Sequence, residues 1–367
     1  MTAAPHVVVL AGGGGVGKTT TSAALALSLA RQGYRTLIVT IDPARRLAGA
    51  MGVALSDRIS PVPVGFTGTH GGGLWALMPD PRRSLGTLIE QLFEDEPDAK
   101  DRMLNNRLYV ALSDAAAGVH ELVAMNLVAR AAADFEVIVI DTAPSRHAID
   151  FITYPGKLAA LLGGRPVAWL GGMAERAAGI PTKGGLLSWG TNQVEALLAR
   201  VTGPHLLRDT ANMFGDLAVV RERFVALTRH ASELLLGART AYVLVAAPTA
   251  AAQADVRYLA RRLLHLGRVP RALVFNRADH GPAPFASVTA GDGDLPVSVV
   301  EALSLLAGER AHRVSAADRL ASAFAATLTT PVIRLPHVER ATPEAVVEVL
   351  SRALDPHTDG LVPRRRP

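Results

Sequence analysis

Residues His6–Thr20 read HVVVLAGGGGVGKTT, and the organisation of the whole chain follows from this stretch. His6–Leu10 is a short, wholly apolar run suited to a buried strand, and Lys18–Gln32 has the periodicity of a helix. Between them, Gly12-Gly13-Gly14-Gly15-Val16-Gly17-Lys18-Thr19 fits G-x-x-x-x-G-K-S/T in the strand–loop–helix setting where that pattern cradles phosphates. Glycines let the backbone wrap closely around phosphate oxygens, with inward N–H groups adding to the positive end of the helix dipole. Lys18 is placed to offer a fixed charge to the β- and γ-phosphates, and the Thr19 hydroxyl to ligate magnesium. Residues Gly12, Gly13, Gly14, Gly15, Val16, Gly17, Lys18, Thr19 and Thr20 are therefore the expected ATP-binding loop.

Working outward, further runs rich in Val, Ile and Leu read as buried strands: Thr36–Ile41, Val137–Asp141, Ala241–Ala247, Ala272–Asn276 and Val332–Leu335. Helical patterns fall between them at His120–Ala133, Ala252–Leu266 and Ser298–Ala307. Alternation of this kind predicts an α/β fold, a P-loop NTPase whose mainly parallel sheet is covered by helices on both faces. In such a sheet the ligand lies at the carboxyl ends of the strands. Residues 1–150 and 241–340 are expected to form the ATPase core. Residues 151–240 break the alternation with helical patterns (Gly190–Arg200, Pro204–Ala211, Leu217–Leu236) after a glycine-rich first half, and read as an inserted helical subdomain. Residues 341–367 read as a C-terminal helix, Thr342–Leu354, and a basic tail, Arg364–Arg366.

Two acidic motifs fall at strand ends. Ile41-Asp42-Pro43-Ala44 places a carboxylate where it can align the water that attacks a γ-phosphate. Val137–Asp141 closes an apolar strand with an acid, the arrangement that holds magnesium directly or through water. Asp42 and Lys18 are thus the expected catalytic pair, and Thr19 and Asp141 the expected metal contacts.

Of the 367 residues, 49% are hydrophobic and 19% charged, enough for a sizeable core and unlike a disordered chain. With no cysteine, disulfides, thiolate metal sites and iron–sulfur clusters are excluded together. The net charge of +5 is carried mostly by arginine; the only lysines are Lys18, Lys100, Lys157 and Lys183. That balance reads as a solvated surface, and no specific nucleic-acid partner is expected. The longest apolar stretches are too short to span a bilayer, and the first residues run from a strand into glycines without a basic leader, so a cytoplasmic location is expected.

The chain resembles the deviant-Walker-A ATPases, in particular the branch of arsenite-pump and tail-anchored-protein targeting ATPases, and is most similar to the actinobacterial anion-transporting-ATPase-like proteins. The resemblance rests on GGGGVGKTT, IDPARRLAGAMG, GVHELVAMN, DTAPSRHAIDFI, LVFNR and LPHVER. It implies that Asp42 lies in switch I and positions the hydrolytic water, and that Asp141 opens switch II. It further implies that Asn276 contacts adenine, with the loop Leu335–Glu339, through Pro336 and Val338, completing the purine pocket. It also implies a nucleotide-gated dimer working on membrane-protein clients or in anion transport.

Two features depart from that family. The deviant loop carries a second lysine after its first glycine, reaching across the dimer; here the position is Gly13. Arg45, Arg46 and Arg146 are candidate substitutes; surface or sheet-edge arginine is the other reading of each, and the favoured one for Arg45 and Arg46. The partner is then either a second copy, giving a homodimer without the trans lysine, or a lysine-bearing paralogue in a heterodimer. Second, the absent cysteines leave no soft ligands for arsenite or a shared zinc. Trp169, Met173, Trp189, Met213 and Phe214 in the insertion either line an apolar client groove or pack the insertion's own core. Two other functions stay open: a partition or positioning ATPase, and a subunit that holds ATP without hydrolysing it.

Overall fold

The structure, a computed structural model, describes residues 4–42, 46–63, 72–107, 109–110, 117–143, 204–278, 296–325, 329–338 and 341–363. Its elements run β1 His6–Gly12, α1 Lys18–Arg31, β2 Arg35–Thr40, α2 Arg46–Met51, β3 Ser60–Pro61 and β4 Gly73–Leu77. Then follow α3 Pro81–Leu92, α4 Pro97–Leu104, α5 Ala117–Ala131, β5 Val137–Asp141, α6 Pro204–Val219 and α7 Arg221–Leu236. The chain closes with β6 Thr240–Ala246, α8 Ala250–His265, β7 Ala272–Phe275, α9 Val297–Ala325, β8 Val332–Arg334 and α10 Pro343–Leu354. A 3₁₀ turn at Asp355–Gly360 follows α10.

Contacts divide the chain into two compact units: Met1–Met78 with Ala131–Ile149 and Ala238–Pro367, and Pro79–Arg130 with Asp150–Gly237. The first holds one eight-stranded sheet in the order β3-β4-β2-β5-β1-β6-β7-β8. Every neighbouring pair is parallel except β3 with β4. The crossover β1–α1–β2 moves toward one edge of the sheet and β6–α8–β7 toward the other. Because such crossovers are right-handed, α1 and α8 cover opposite faces. β1 lies at the centre, Leu10 in register with Asp141 on one side and Gly12 with Val245 on the other. Its residues Val7–Leu10 are fully buried, as are Val137–Val139 of β5, so these strands read as continuous apolar runs.

The last helix is part of this unit. Thr342 caps α10 by accepting the Ala345 N–H (3.3 Å), and Pro343 starts it with a fixed φ. Val347, Leu350 and Leu354, spaced three and four apart, form its buried stripe against α1. Arg31 of α1 reaches Ser351 (2.8 Å) and Glu348, Ser28 donates to Asp355 (2.5 Å), and Tyr34 donates to the Pro363 carbonyl (2.6 Å). The helix read from the sequence at Thr342–Leu354 thus groups by contact with the sheet.

The helical unit takes in Pro79–Arg130 as well as the described part of 151–240, so by contact residues 79–130 do not group with the sheet. Leu88, Phe93, Met103, Val123, Met213 and Phe224 form its core. Arg102 bridges to Asp216 (2.6 Å) and the Asn106 amide donates to the Asp209 carbonyl (2.7 Å), lacing α4 to α6. Met213 is buried in this core and Phe214 packs against it, which for these two favours packing over a groove. Trp169, Met173, Trp189 and the pattern Gly190–Arg200 lie outside the described residues.

Candidate active site at the carboxyl edge of the sheet

β1 delivers Gly12 to the carboxyl edge of the sheet, and α1 starts six residues later. Gly15 (φ 73°) and Gly17 (φ 85°) take the left-handed backbone that only glycine adopts freely. A Cβ on Gly12 would lie 2.3 Å from the Val245 carbonyl, and one on Gly17 would lie 1.9 Å from Asn276 Nδ2. On Gly14 or Gly15 a Cβ meets nothing within 4 Å, so the outer arc of the loop is an open cradle of backbone. That geometry fits a polyphosphate.

Lys18 and Thr19, the first residues of α1, are buried against the sheet. Burial pushes the Lys18 ammonium below its ordinary pKa, while Asp141 and Asp42 pull it back up. Asp141 is fully buried at the end of β5. Burial holds its carboxyl above the usual range; Lys18 and the hydroxyls of Thr19, Ser22 and Thr40 oppose that shift. Ser22 Oγ lies 3.1 Å from Asp141 Oδ1 and Thr40 donates to Oδ2 at 3.2 Å. A carboxylate ringed by hydroxyls is an oxygen donor set suited to a hard cation, so Thr19 and Asp141 fit the magnesium role.

Asp42 follows β2 and is also buried. Its N–H donates to Thr40 Oγ1 (3.2 Å), the hydroxyl that bonds Asp141, so Thr40 ties the two acids to one point of the sheet. Arg46, at the start of α2, lies 3.3 Å from Asp42 Oδ2. It is an exposed arginine, as the favoured reading has it, and it also forms an ion pair with Asp42. Arg45 and Arg146 lie outside the described residues.

Asn276 is buried at the end of β7, its amide donating to the Val16 carbonyl (3.0 Å), so in this arrangement it braces the loop. Arg277 beside it has φ 57°, its N–H donating to Asn276 Oδ1 (3.0 Å). Leu335 accepts the Ala278 N–H (2.8 Å) and donates to the Phe275 carbonyl (2.8 Å). The half-buried Pro336 and Val338 follow it, on a loop beside Asn276, while Glu339 lies outside the described residues. Ser22 and Thr40 carry no signal of their own in the sequence. Ser22 stands four residues after Lys18 and Thr40 two before Asp42, offsets that align with a site only once helix and strand are built.

Fold and site together define a P-loop NTPase of the α/β class. The chain belongs to the anion-transporting ATPase family, whose pattern matches residues 5–201, more than half its length. It is 29% identical over 223 residues to the ATPase get3 of Schizosaccharomyces japonicus, covering 59% of this chain and 60% of that one. It is 31% identical over 176 residues to an arsenical pump-driving ATPase of Acidiphilium multivorum, covering 46% and 29%. With the ATPase ARSA2 of Chlamydomonas reinhardtii it shares 34% over 197 residues, covering 47% and 49%. The match thus spans less than two thirds of these relatives. Among the described residues, no helix is long and apolar enough to cross a membrane.

Proposed function

We propose that this chain is a magnesium-dependent ATPase whose hydrolysis cycle drives a dimer switch, with membrane-protein clients or anion transport as its output. The observation that carries the reading is the Thr40 hydroxyl joined to both Asp42 and Asp141, beside Lys18 at the mouth of the glycine loop. The backbone N–H groups of the loop and the Lys18 ammonium would hold the phosphates and offset the charge that develops on them. Magnesium, held by Thr19 and Asp141, would add a Lewis-acid charge to the same oxygens. Asp42 would accept a hydrogen bond from the attacking water and align it as the bond to the leaving diphosphate breaks. Arg46 would fix the Asp42 rotamer before that step.

The relatives named get3, ARSA2 and arsenical pump-driving ATPase support the ATPase reading, and the last suggests the transport output, while the client output rests on the sequence resemblance. An assembly is favoured by the exposed apolar side chains Val297, Val299, Leu305 and Leu306 on the first half of α9. Gly13 favours a second form of the reading, a subunit that holds ATP until a lysine-bearing paralogue joins it. The test is Asp42→Asn, assayed for turnover and nucleotide binding, with sedimentation to follow assembly. Turnover should fall at least about a hundredfold with binding intact. Unchanged turnover would remove Asp42 from the mechanism.

A further inference from the structure

At the opposite end of the central strands from the glycine loop lies a cleft of about 170 Å³, lined by His6, Arg239, Arg271, Asp359, Gly360 and Pro363. β1 carries seven residues from His6 to Gly12, so roughly 20 Å of strand separates this cleft from the loop. We propose that it is a binding site for a small oxyanion of the phosphate class. Arg239, Arg271 and His6 line the cleft with one acid, Asp359, so basic side chains outnumber acidic ones in its walls. Arginine's planar fork of donors matches a tetrahedral oxyanion.

His6 reports that potential. Its pKa is lowered from the usual 6.5 by burial and then by Arg239. The other groups around it are Arg271 ahead of β7, Asp359 in the 3₁₀ turn, and Glu136 ahead of β5. Glu136 accepts the His6 N–H at its carbonyl (2.8 Å) and the Arg35 N–H at its carboxylate (2.9 Å). Arg239 also donates to the Ala4 carbonyl, and Arg268 to the Thr240 carbonyl (3.1 Å), so the cleft's walls are tied to the strand starts. The volume suits a single oxyanion and is below the usual range for nucleotide-sized ligands. An anion here would favour the imidazolium, so His6 should bind it more tightly as pH falls.

The experiment is a titration of the full chain with inorganic phosphate at constant ionic strength, read from the His6 imidazole proton resonance. His6→Gln assigns that resonance among the eleven histidines. Phosphate should raise the His6 pKa, sulfate should compete, and Arg271→Ala should weaken binding about tenfold. The response should persist with magnesium-ATP at saturation. A His6 resonance that phosphate leaves in place overturns the proposal. So does a response undiminished in Arg271→Ala, or one abolished by ATP, which would locate the phosphate in the glycine loop.

Discussion

The resemblance implies a second loop lysine where this chain has Gly13, and the structure supplies a local reason for glycine there. A Cβ at Gly13 would lie 2.5 Å from Asp255 Oδ2 on α8, so any side chain must first displace that carboxylate. Gly13→Ala should therefore cost no more than about 1 kcal/mol, because the end of the Asp255 side chain can turn aside, and Asp255→Ala in the same chain should return most of that loss. Urea unfolding of the two single variants and the double variant checks this; purely additive effects would contradict the contact. His6 gives a second prediction at this scale. A histidine whose folded pKa lies below its unfolded value is held neutral by the fold. Its contribution is flat above the unfolded value near 6.5, and stability is lost as pH falls from there through the folded pKa. Urea midpoints at about pH 7.5 and about pH 5.5 should differ less in His6→Gln than in the parent. Much of the site was legible residue by residue: Gly12, Gly17, Lys18 and Asp141 each announced a backbone or charge requirement within a few positions. Thr40 and Ser22 did not, because their roles depend on a partner 101 and 119 positions away, and Asp255 did not, because it meets the glycine loop only in the folded chain.

At the scale of elements, the strands with unbroken apolar runs were the legible ones. β1, β2, β5, β6, β7 and β8 fall within a residue or two of their expected bounds, because a strand buried on both faces needs no alternation. β4 was hidden by the glycines leading into GLWAL, and β3 is two residues long and ends in proline. α3 and α4 were also missed, although Asp80 caps α3 by accepting the Arg83 N–H (3.0 Å). Their apolar positions serve the helical unit, not the sheet, so the α/β alternation gave no cue to them. α9 runs to Ala325, well past the expected Ala307, its last turns burying Ala317, Ala321 and Phe324. The docking of α10 could not be read from its composition, since Glu344, Glu348 and Arg352 suggest a solvated helix. Leu350→Ala should cost about 2–5 kcal/mol, as Leu350 is buried between α10 and its neighbours. A change under about 0.5 kcal/mol in urea unfolding would mean that α10 is not integral to the unit.

For the whole molecule, a glycine loop, two tethered acids and family membership support one claim: ATP is bound and hydrolysed at the carboxyl edge of the sheet. The fold class was plain from the order of elements, since strands alternating with helices leave few alternatives. The division into units was less so, because residues 79–130 join the helical unit from a separate part of the chain. The most direct measurement is magnesium-ATP turnover by the purified full chain, with nucleotide binding followed on the same sample. The account predicts magnesium-dependent turnover that Asp42→Asn abolishes while binding persists. Tight binding without turnover, even after a lysine-bearing paralogue is added, would contradict it.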